Sequence, residues 1–326
     1  MPTRSPEELV QEVLDSGYPE RILAIAEEYT PGFDRLQARR TAASLAAELN
    51  LLGVRCPPSS ITDLILLQAM TLPVGEDGLA LALSRLFVCA AIIDDASGHD
   101  LRLPFQVLGS DDEPRSARSS LYAGCAYRMF EGIAAFCDRQ FLGVSKSLYR
   151  RSLIGVVFEH EFSADVADGI DTEYVRRASG FAEFWSTLLQ FVDPCLDFCA
   201  NLRFWAAALR PMADFLNEFN DVLSFYKEAM DGRDLVWSKP YRTAVLQGIS
   251  YLDAYRQALD LGVRSYQQVL DLADDRQRPY LDNYMKGYIY WHTHTARYRW
   301  KDLFPAIRLM DIEEMAGQAV TAARAH

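Results

Sequence analysis

Three oxygen-bearing side chains lie four residues apart in the second half of the chain. Asn220, Ser224 and Glu228 stand in the stretch NDVLSFYKE, within a longer segment of helical periodicity. Each step of four residues advances only about 40° around a helix, so the three side chains share one face. An amide oxygen, a hydroxyl and a carboxylate are hard ligands, and Mg²⁺ prefers such oxygens, with water and phosphate completing an octahedron. This spacing predicts a magnesium site, and we refer to the three residues as the oxygen ladder.

An ordinary solvent-exposed polar helix face is the alternative interpretation of the same spacing. Apolar side chains interleave with the ladder, however, at Phe219, Val222, Leu223 and Phe225. They indicate a largely buried helix, and buried polar oxygens need partners, which a metal ion can supply. Lys227 lies one residue from the ladder face and could reach a phosphate oxygen as a point charge.

A pair of carboxylates, Asp94 and Asp95, ends the most apolar segment of the chain, Leu79–Ile93. The C-terminal end of a helix already carries partial negative charge, so two carboxylates there favour a compensating cation. This indicates a second metal site. The apolar segment is shorter than the ~20 residues of a bilayer span and contains Arg85, which favours a buried helix and no membrane span.

The order of these motifs resembles that of class I terpene cyclases. The stretch NDVLSFYKE specifically resembles the trichodiene-synthase-like family of fungal sesquiterpene cyclases. Two further features extend the resemblance: Arg176-Arg177 in the context RRASG, where the family places a diphosphate-sensing arginine, and the late pair Arg297-Tyr298. From Asp94 to Tyr298 the resemblance covers most of the chain.

The resemblance implies how a diphosphate would be bound. Three Mg²⁺ ions would bridge the diphosphate of an isoprenoid substrate and four ligands on two facing helices, namely Asp94, Asn220, Ser224 and Glu228. Four side chains would donate hydrogen bonds to the departing diphosphate: Arg177, Lys227, Arg297 and Tyr298. Arg177 is preferred to Arg176 because of its spacing to Asn220.

One departure from the family pattern lies in the first motif. An aspartate-rich motif of the form DDxxD would place a carboxylate where this chain has Gly98, and the next acid is Asp100. Asp94 is therefore carried over as the bridging ligand, while Asp95 and Asp100 stay open as further ligands.

Helical periodicity runs from end to end without sustained β-type alternation, which predicts an all-α fold. The resemblance implies a class I terpenoid synthase helical bundle around an apolar cavity. We see no repeat or flexible linker, so we expect a single domain over residues 1–326. Long helices are expected over Asp171–Val192, Asn201–Met230 and Tyr241–Asp274. The expected aromatic walls of the cavity are Phe87, Trp185, Phe215, Phe219 and Trp291.

The composition excludes several classes of partner. A formal net charge of −12 would repel nucleic acid and anionic membrane surfaces, so a bound polyanion needs cations between it and the protein. The polar segment Met1–Asp15 lacks the basic and apolar regions of a secretory signal, and the six cysteines are scattered. We therefore expect a cytoplasmic protein with reduced cysteines.

These observations predict a Mg²⁺-dependent sesquiterpene synthase, a lyase that ionises and cyclises farnesyl diphosphate and releases diphosphate. A chain-elongating prenyl diphosphate synthase would need a second aspartate-rich motif where this chain has the oxygen ladder. The sequence leaves open an ionising enzyme that releases an acyclic terpene, and Gly98 leaves open a catalytically degenerate helical scaffold. No partner protein is implied, but related cyclases are often dimers, so a homodimer stays open.

Overall fold

The computed structural model of the chain describes residues 5–54, 56–94, 121–161, 171–231, 235 and 238–310. Every regular element in those ranges is a helix, which confirms the predicted all-α fold. Of the helices described, none combines the length and the apolar character that a membrane span requires.

Fourteen α-helices follow one another through the described ranges. They are α1 (Pro6–Asp15), α2 (Tyr18–Ile25), α3 (Arg35–Leu51), α4 (Pro58–Thr71), α5 (Asp77–Asp94), α6 (Leu121–Ala134), α7 (Arg139–Glu161), α8 (Thr172–Ser179), α9 (Ala182–Thr187), α10 (Leu202–Asp231), α11 (Lys239–Gln247), α12 (Tyr251–Leu272), α13 (Arg278–His294) and α14 (Trp300–Leu303). Short 3₁₀ turns lie at Leu188–Phe191, Pro194–Leu196 and Ala296–Tyr298.

The 30-residue helix α10 lies at the centre of the packing and carries the oxygen ladder. Its apolar side chains Phe219, Val222 and Leu223 are fully buried, as the interleaved pattern predicted. Helix α12 packs along it, and α9, α11 and α13 also contact it. Most of the buried hydrophobic side chains of the described residues form one continuous core cluster that includes this helix.

The predicted helix Asp171–Val192 is wrong, because the chain breaks there into α8, α9 and a 3₁₀ turn. Asp171 caps the start of α8 by accepting a hydrogen bond from the Tyr174 N–H at 2.9 Å. Gly180 ends α8, and Phe181 then takes a left-handed conformation with φ of 51°. A regular helix cannot contain that backbone, and the resulting bend turns Phe181 toward the site.

The predicted helix Tyr241–Asp274 is also interrupted. Gly248 adopts φ of 65° after α11, a left-handed conformation that glycine accepts without steric cost. Ser250 then caps α12 by accepting a hydrogen bond from the Asp253 N–H at 3.0 Å. The predicted helix Asn201–Met230 agrees with α10 to within one residue at each end.

Helix α8 is held against α7 by a close backbone approach. A Cβ atom at Gly155 of α7 would lie 2.3 Å from the backbone nitrogen of Ser179, so a larger residue would force the helices apart. Val175 and Ala178 bury the apolar face of α8. This packing fixes the position of α8, and with it the positions of its two arginines relative to α10.

Candidate active site

The oxygen ladder lies on one face of α10, as its spacing predicted. The Ser224 hydroxyl donates to Glu228 Oε1 at 2.5 Å, and Asn220 Oδ1 accepts from Arg176 at 2.8 Å. The Asn220 amide also donates to the Tyr288 hydroxyl at 3.3 Å. Hydrogen bonds thus join the ladder to α8 and α13. The ladder is therefore not the solvent-exposed polar face of the alternative interpretation.

A second acidic row on α10, formed by Asp214, Glu218 and Asp221, was not identified from the sequence. Each member pairs with a cation from a neighbouring helix: Asp214 with Arg177 at 3.3 Å, Glu218 with Lys239, and Asp221 with Arg176 at 2.5 Å. The acids recur at spacings of four and three, which places them on one face. This spacing is visible in the sequence and predicts a second acidic face on the helix.

Arg176, and not the predicted Arg177, contacts the ladder. Its guanidinium bridges Asn220 and the carboxylate of Asp221, which is only 2% exposed and also accepts the Lys239 backbone N–H at 2.9 Å. Arg177 instead pairs with Asp214, where Arg210 provides a second cation at 3.6 Å. One residue turns a side chain by about 100° on a helix, so spacing alone could not choose between the two.

The late pair Arg297-Tyr298 reaches the same region from the turn after α13. The exposed Arg297 guanidinium lies 6.0 Å from the centre of the Tyr298 ring, and the ring itself is 6% exposed. Burial raises the pKa of Tyr298, and the neighbouring Arg297 opposes that shift. Tyr298 is therefore a neutral hydroxyl, able to donate a hydrogen bond.

Lys227 is half-buried one residue before Glu228. Its positive charge favours the ionised form of Glu228 and the neutral form of His292 on α13. It does not line the cavity described below.

An apolar cavity of about 230 Å³ begins at Asn220. Three of the predicted walls, Phe87, Trp185 and Trp291, line it, and the rings of Phe87 and Trp185 stack with their centres 4.5 Å apart. Phe215 and Phe219, also expected as walls, are instead packed in the core at 0% exposure. The bend after α8 brings Phe181 into the lining, and α13 contributes Tyr284 and Tyr288, which sequence reasoning missed.

The carboxyl group of Glu228 lacks a full set of partners. Its Oε2 is buried without a hydrogen-bond partner among the described residues, and burial, reinforced by the charge of Asp221, raises its pKa to about 8. A divalent cation would supply the missing partner and stabilise the ionised form. The donor set of amide, hydroxyl and carboxylate therefore fits Mg²⁺.

Clusters of three or more His, Cys, Asp or Glu side chains arranged to hold a metal do not occur in the described part of the chain. The oxygen ladder is of a different kind, because two of its three ligands are an amide and a hydroxyl. Asp94 is the last residue of α5, the helix that contributes Phe87 to the cavity. Asp95, Gly98 and Asp100 lie outside the described residues.

His292 packs beneath the site as a buried neutral ring. Its Nδ1 lies 2.8 Å from the Tyr288 carbonyl oxygen, and burial lowers its pKa to about 3. The imidazole ring centre lies 4.2 Å from that of Tyr298. We infer that this ring supports the position of Tyr298.

Comparison with known proteins agrees with this geometry. A family model described as trichodiene synthase (TRI5) matches residues 167–318, the part of the chain with the arginines of α8, the ladder and the Arg297-Tyr298 pair. The resemblance to trichodiene-synthase-like terpene cyclases is thereby confirmed for that segment.

Individual relatives are similar over a limited length. Terpene synthase 29 of Postia placenta is 29% identical over 132 residues, which are 40% of this chain and 37% of the relative. Alpha-cuprenene synthase COP6 of Coprinopsis cinerea is 28% identical over 137 residues, 40% of this chain and 38% of the relative. Trichodiene synthase of Fusarium cortaderiae is 26% identical over 145 residues, 44% and 38% of the two chains. The alignments thus span well under half of each relative.

The fold is similar over a greater length. The crystal structure of linalool/nerolidol synthase from Streptomyces clavuligerus superposes with a TM-score of 0.65, covering 81% of this chain and 99% of that one at 15% identity. The chain therefore has the class I terpenoid synthase fold, as expected from the sequence.

Proposed function

We propose that the protein is a Mg²⁺-dependent sesquiterpene synthase that ionises farnesyl diphosphate, cyclises the resulting cation and releases diphosphate. One observation carries the proposal: Oε2 of Glu228 is buried without a hydrogen-bond partner among the described residues and shares a helix face with Asn220 and Ser224, and Asn220 lines an aromatic cavity. The names of the trichodiene and alpha-cuprenene synthases support the same class of reaction. We assign the activity to a single domain, residues 1–326.

Asn220, Ser224 and Glu228 would hold Mg²⁺ on α10, and Asp94 would hold it on the side of α5. When bound, Mg²⁺ would neutralise the diphosphate and stabilise the charge that develops as the carbon–oxygen bond breaks. Without such cations, a diphosphate would be repelled by a chain of net charge −12.

The chain's own donors would complete the diphosphate site. Arg176 replaces Arg177 as the proposed sensor, because its guanidinium already lies at Asn220. Arg297 and the neutral Tyr298 hydroxyl would approach from the turn after α13, and Lys227 from α10. Donors held in place before the reaction stabilise the leaving group without reorganising during it.

The cavity would receive the hydrocarbon chain and shield the cation from bulk water. Stacked rings such as Phe87 and Trp185 present π faces that stabilise positive charge. The rings offer no strong base, which would end the reaction early by removing a proton.

The proposal is tested by incubating the purified protein with farnesyl diphosphate, with and without Mg²⁺, and analysing a solvent extract by gas chromatography and mass spectrometry. We expect terpene products only with Mg²⁺, and their loss in folded Glu228→Ala. Glu131→Ala, at an exposed position of α6, is the matched control and should keep full activity. Absence of turnover in the unmodified protein would favour the helical scaffold. Cytoplasmic location and a homodimer stay predictions from the sequence.

A further inference from the structure

One polar side chain in the cavity wall has no hydrogen-bond partner in the described part of the chain. Asn217 of α10 is 6% exposed, and it lines the cavity. Its amide forms no hydrogen bond with any residue that the structure describes. Because nine-tenths or more of this side chain is buried, its amide requires a partner within the cavity.

The neighbouring backbone is shaped to fit this amide. Gly180 ends α8 directly against it, and a Cβ atom there would lie 2.0 Å from Asn217 Oδ1. The adjoining Ser179 and Phe181 line the same part of the cavity. Glycine at this position therefore leaves the space that the amide occupies.

Asn217 lies on the hydrocarbon side of the ladder. It precedes Asn220 by one turn, about 4.5 Å along the helix axis and away from Ser224 and Glu228. Both asparagines line the cavity, whereas Ser224 and Glu228 do not. A diphosphate bound at the ladder would thus leave Asn217 facing the apolar chain, which has no group that can accept or donate a hydrogen bond.

We propose that Asn217 is a positioning residue that holds one water molecule in the cavity, and that this water captures the terpene cation to give an alcohol. A bound water needs two to four polar partners, and the Ser179 hydroxyl and Asn220 lie in the same stretch of wall. The inference rests on the proposed function, because it needs the cation formed by loss of diphosphate.

The step balances without an oxidant or reductant. Diphosphate leaves with the electron pair of its carbon–oxygen bond, and a lone pair of the water oxygen forms a new bond to the cationic carbon. The resulting oxonium loses one proton, which the released diphosphate accepts. Farnesyl diphosphate and water thus give a fifteen-carbon alcohol and protonated diphosphate.

The test is incubation with farnesyl diphosphate and Mg²⁺ in ¹⁸O-labelled water, with terpene products and released diphosphate measured in parallel. The unmodified protein should give an alcohol carrying one ¹⁸O atom. Hydrolysis at phosphorus by a contaminating phosphatase would give unlabelled farnesol, and heat-inactivated protein sets the background of spontaneous solvolysis.

Asn217→Leu keeps the size of the side chain and removes the hydrogen-bonding groups. We expect the labelled alcohol to fall about fivefold relative to hydrocarbons, the loss associated with one neutral hydrogen bond, while diphosphate release stays within about twofold. Gly180→Ala tests the same site from the neighbouring backbone, because its Cβ would displace the Asn217 amide. It should also lower the fraction of labelled alcohol. Asn50→Leu, at an exposed site on α3, is the control for the substitution.

The outcomes separate the two proposals. Hydrocarbons alone from the unmodified protein, or an unchanged alcohol fraction in Asn217→Leu, would overturn the water site and leave the synthase intact. Loss of diphosphate release in Asn217→Leu would place the amide in the metal and diphosphate site instead. Absence of Mg²⁺-dependent diphosphate release from the unmodified protein would overturn the proposed function itself.

Discussion

Replacing the two adjacent arginines of α8 one at a time separates their roles. Arg176→Met removes the guanidinium that lies 2.5 Å from Asp221, a carboxylate that is 2% exposed. Breaking a buried ion pair from one side costs about 3–5 kcal/mol, because an uncompensated charge stays behind. The Lys239 backbone N–H at 2.9 Å continues to donate to that carboxylate, so we expect a loss near the lower limit, about 3 kcal/mol.

Arg177→Met is the matched control on the same helix. The Arg177 side chain is 32% exposed, and Asp214 keeps Arg210 at 3.6 Å after the substitution. Exposed pairs contribute about 0–1 kcal/mol, so the free energy of unfolding should change by no more than that. The two variants therefore differ by about 2–3 kcal/mol in urea denaturation.

Turnover should separate the same two variants. Loss of one fixed donor to a developing negative charge lowers kcat about 10²–10³-fold, which we expect for Arg176→Met and not for Arg177→Met. In Arg176→Met with Asp221→Asn, the buried carboxylate becomes neutral, so stability should recover while turnover does not. The reasoning is refuted if Arg177→Met loses more stability and activity than Arg176→Met, or if the double variant regains turnover.

Gly155→Ala should lower the free energy of unfolding by about 1–3 kcal/mol in urea denaturation, because its Cβ would lie 2.3 Å from the backbone nitrogen of Ser179. Gly143→Ala on the same helix meets nothing within 4 Å and should keep that free energy or raise it by up to about 1 kcal/mol, because alanine favours a helix more than glycine does. Equal losses in the two variants would contradict the packing. In metal-free protein, the Glu228 carboxyl has its pKa raised by burial from 4.5 to about 8. The folded state therefore holds this proton more tightly, and the stabilisation is complete below pH 4.5 and is lost as the pH rises through about 8, by up to ~1.4 kcal/mol per pH unit. Denaturation midpoints with chelator should show this decline, and Glu228→Gln should flatten it; an identical profile in both proteins would rule out Glu228 as the titrating group. Trp185→Ala should change the product pattern seen by gas chromatography more than it changes diphosphate release, whereas an unchanged pattern would exclude this ring from the wall that contacts substrate.

The oxygen ladder and its buried helix were predictable because both depend on local spacing. Asn220, Ser224 and Glu228 share a face in any regular helix, and the interleaved apolar residues indicated burial. The limits of α10 followed from the same periodicity. Family resemblance added the role of Asp94 on α5 as a bridging ligand and the late Arg297-Tyr298 pair.

The partners of these residues depend on tertiary packing and could not be read from spacing. The bend at Gly180-Phe181 interrupts a pattern that favours continuous helix, and it determines which arginine faces the ladder. Phe215 and Phe219 are aromatic, as a cavity wall would need, yet they lie on the face of α10 that packs against α12. The pairing of Asp221 with Arg176 joins residues 45 positions apart.

The central claim is that the ladder and Arg176 bind a diphosphate through Mg²⁺ at the end of the cavity. Calorimetric titration with inorganic diphosphate, with and without Mg²⁺, tests it most directly in the unmodified protein and in folded Asn220→Leu. We predict binding that requires Mg²⁺ and is lost in the variant. Equal binding without Mg²⁺, or binding that Asn220→Leu leaves unchanged, would contradict the account.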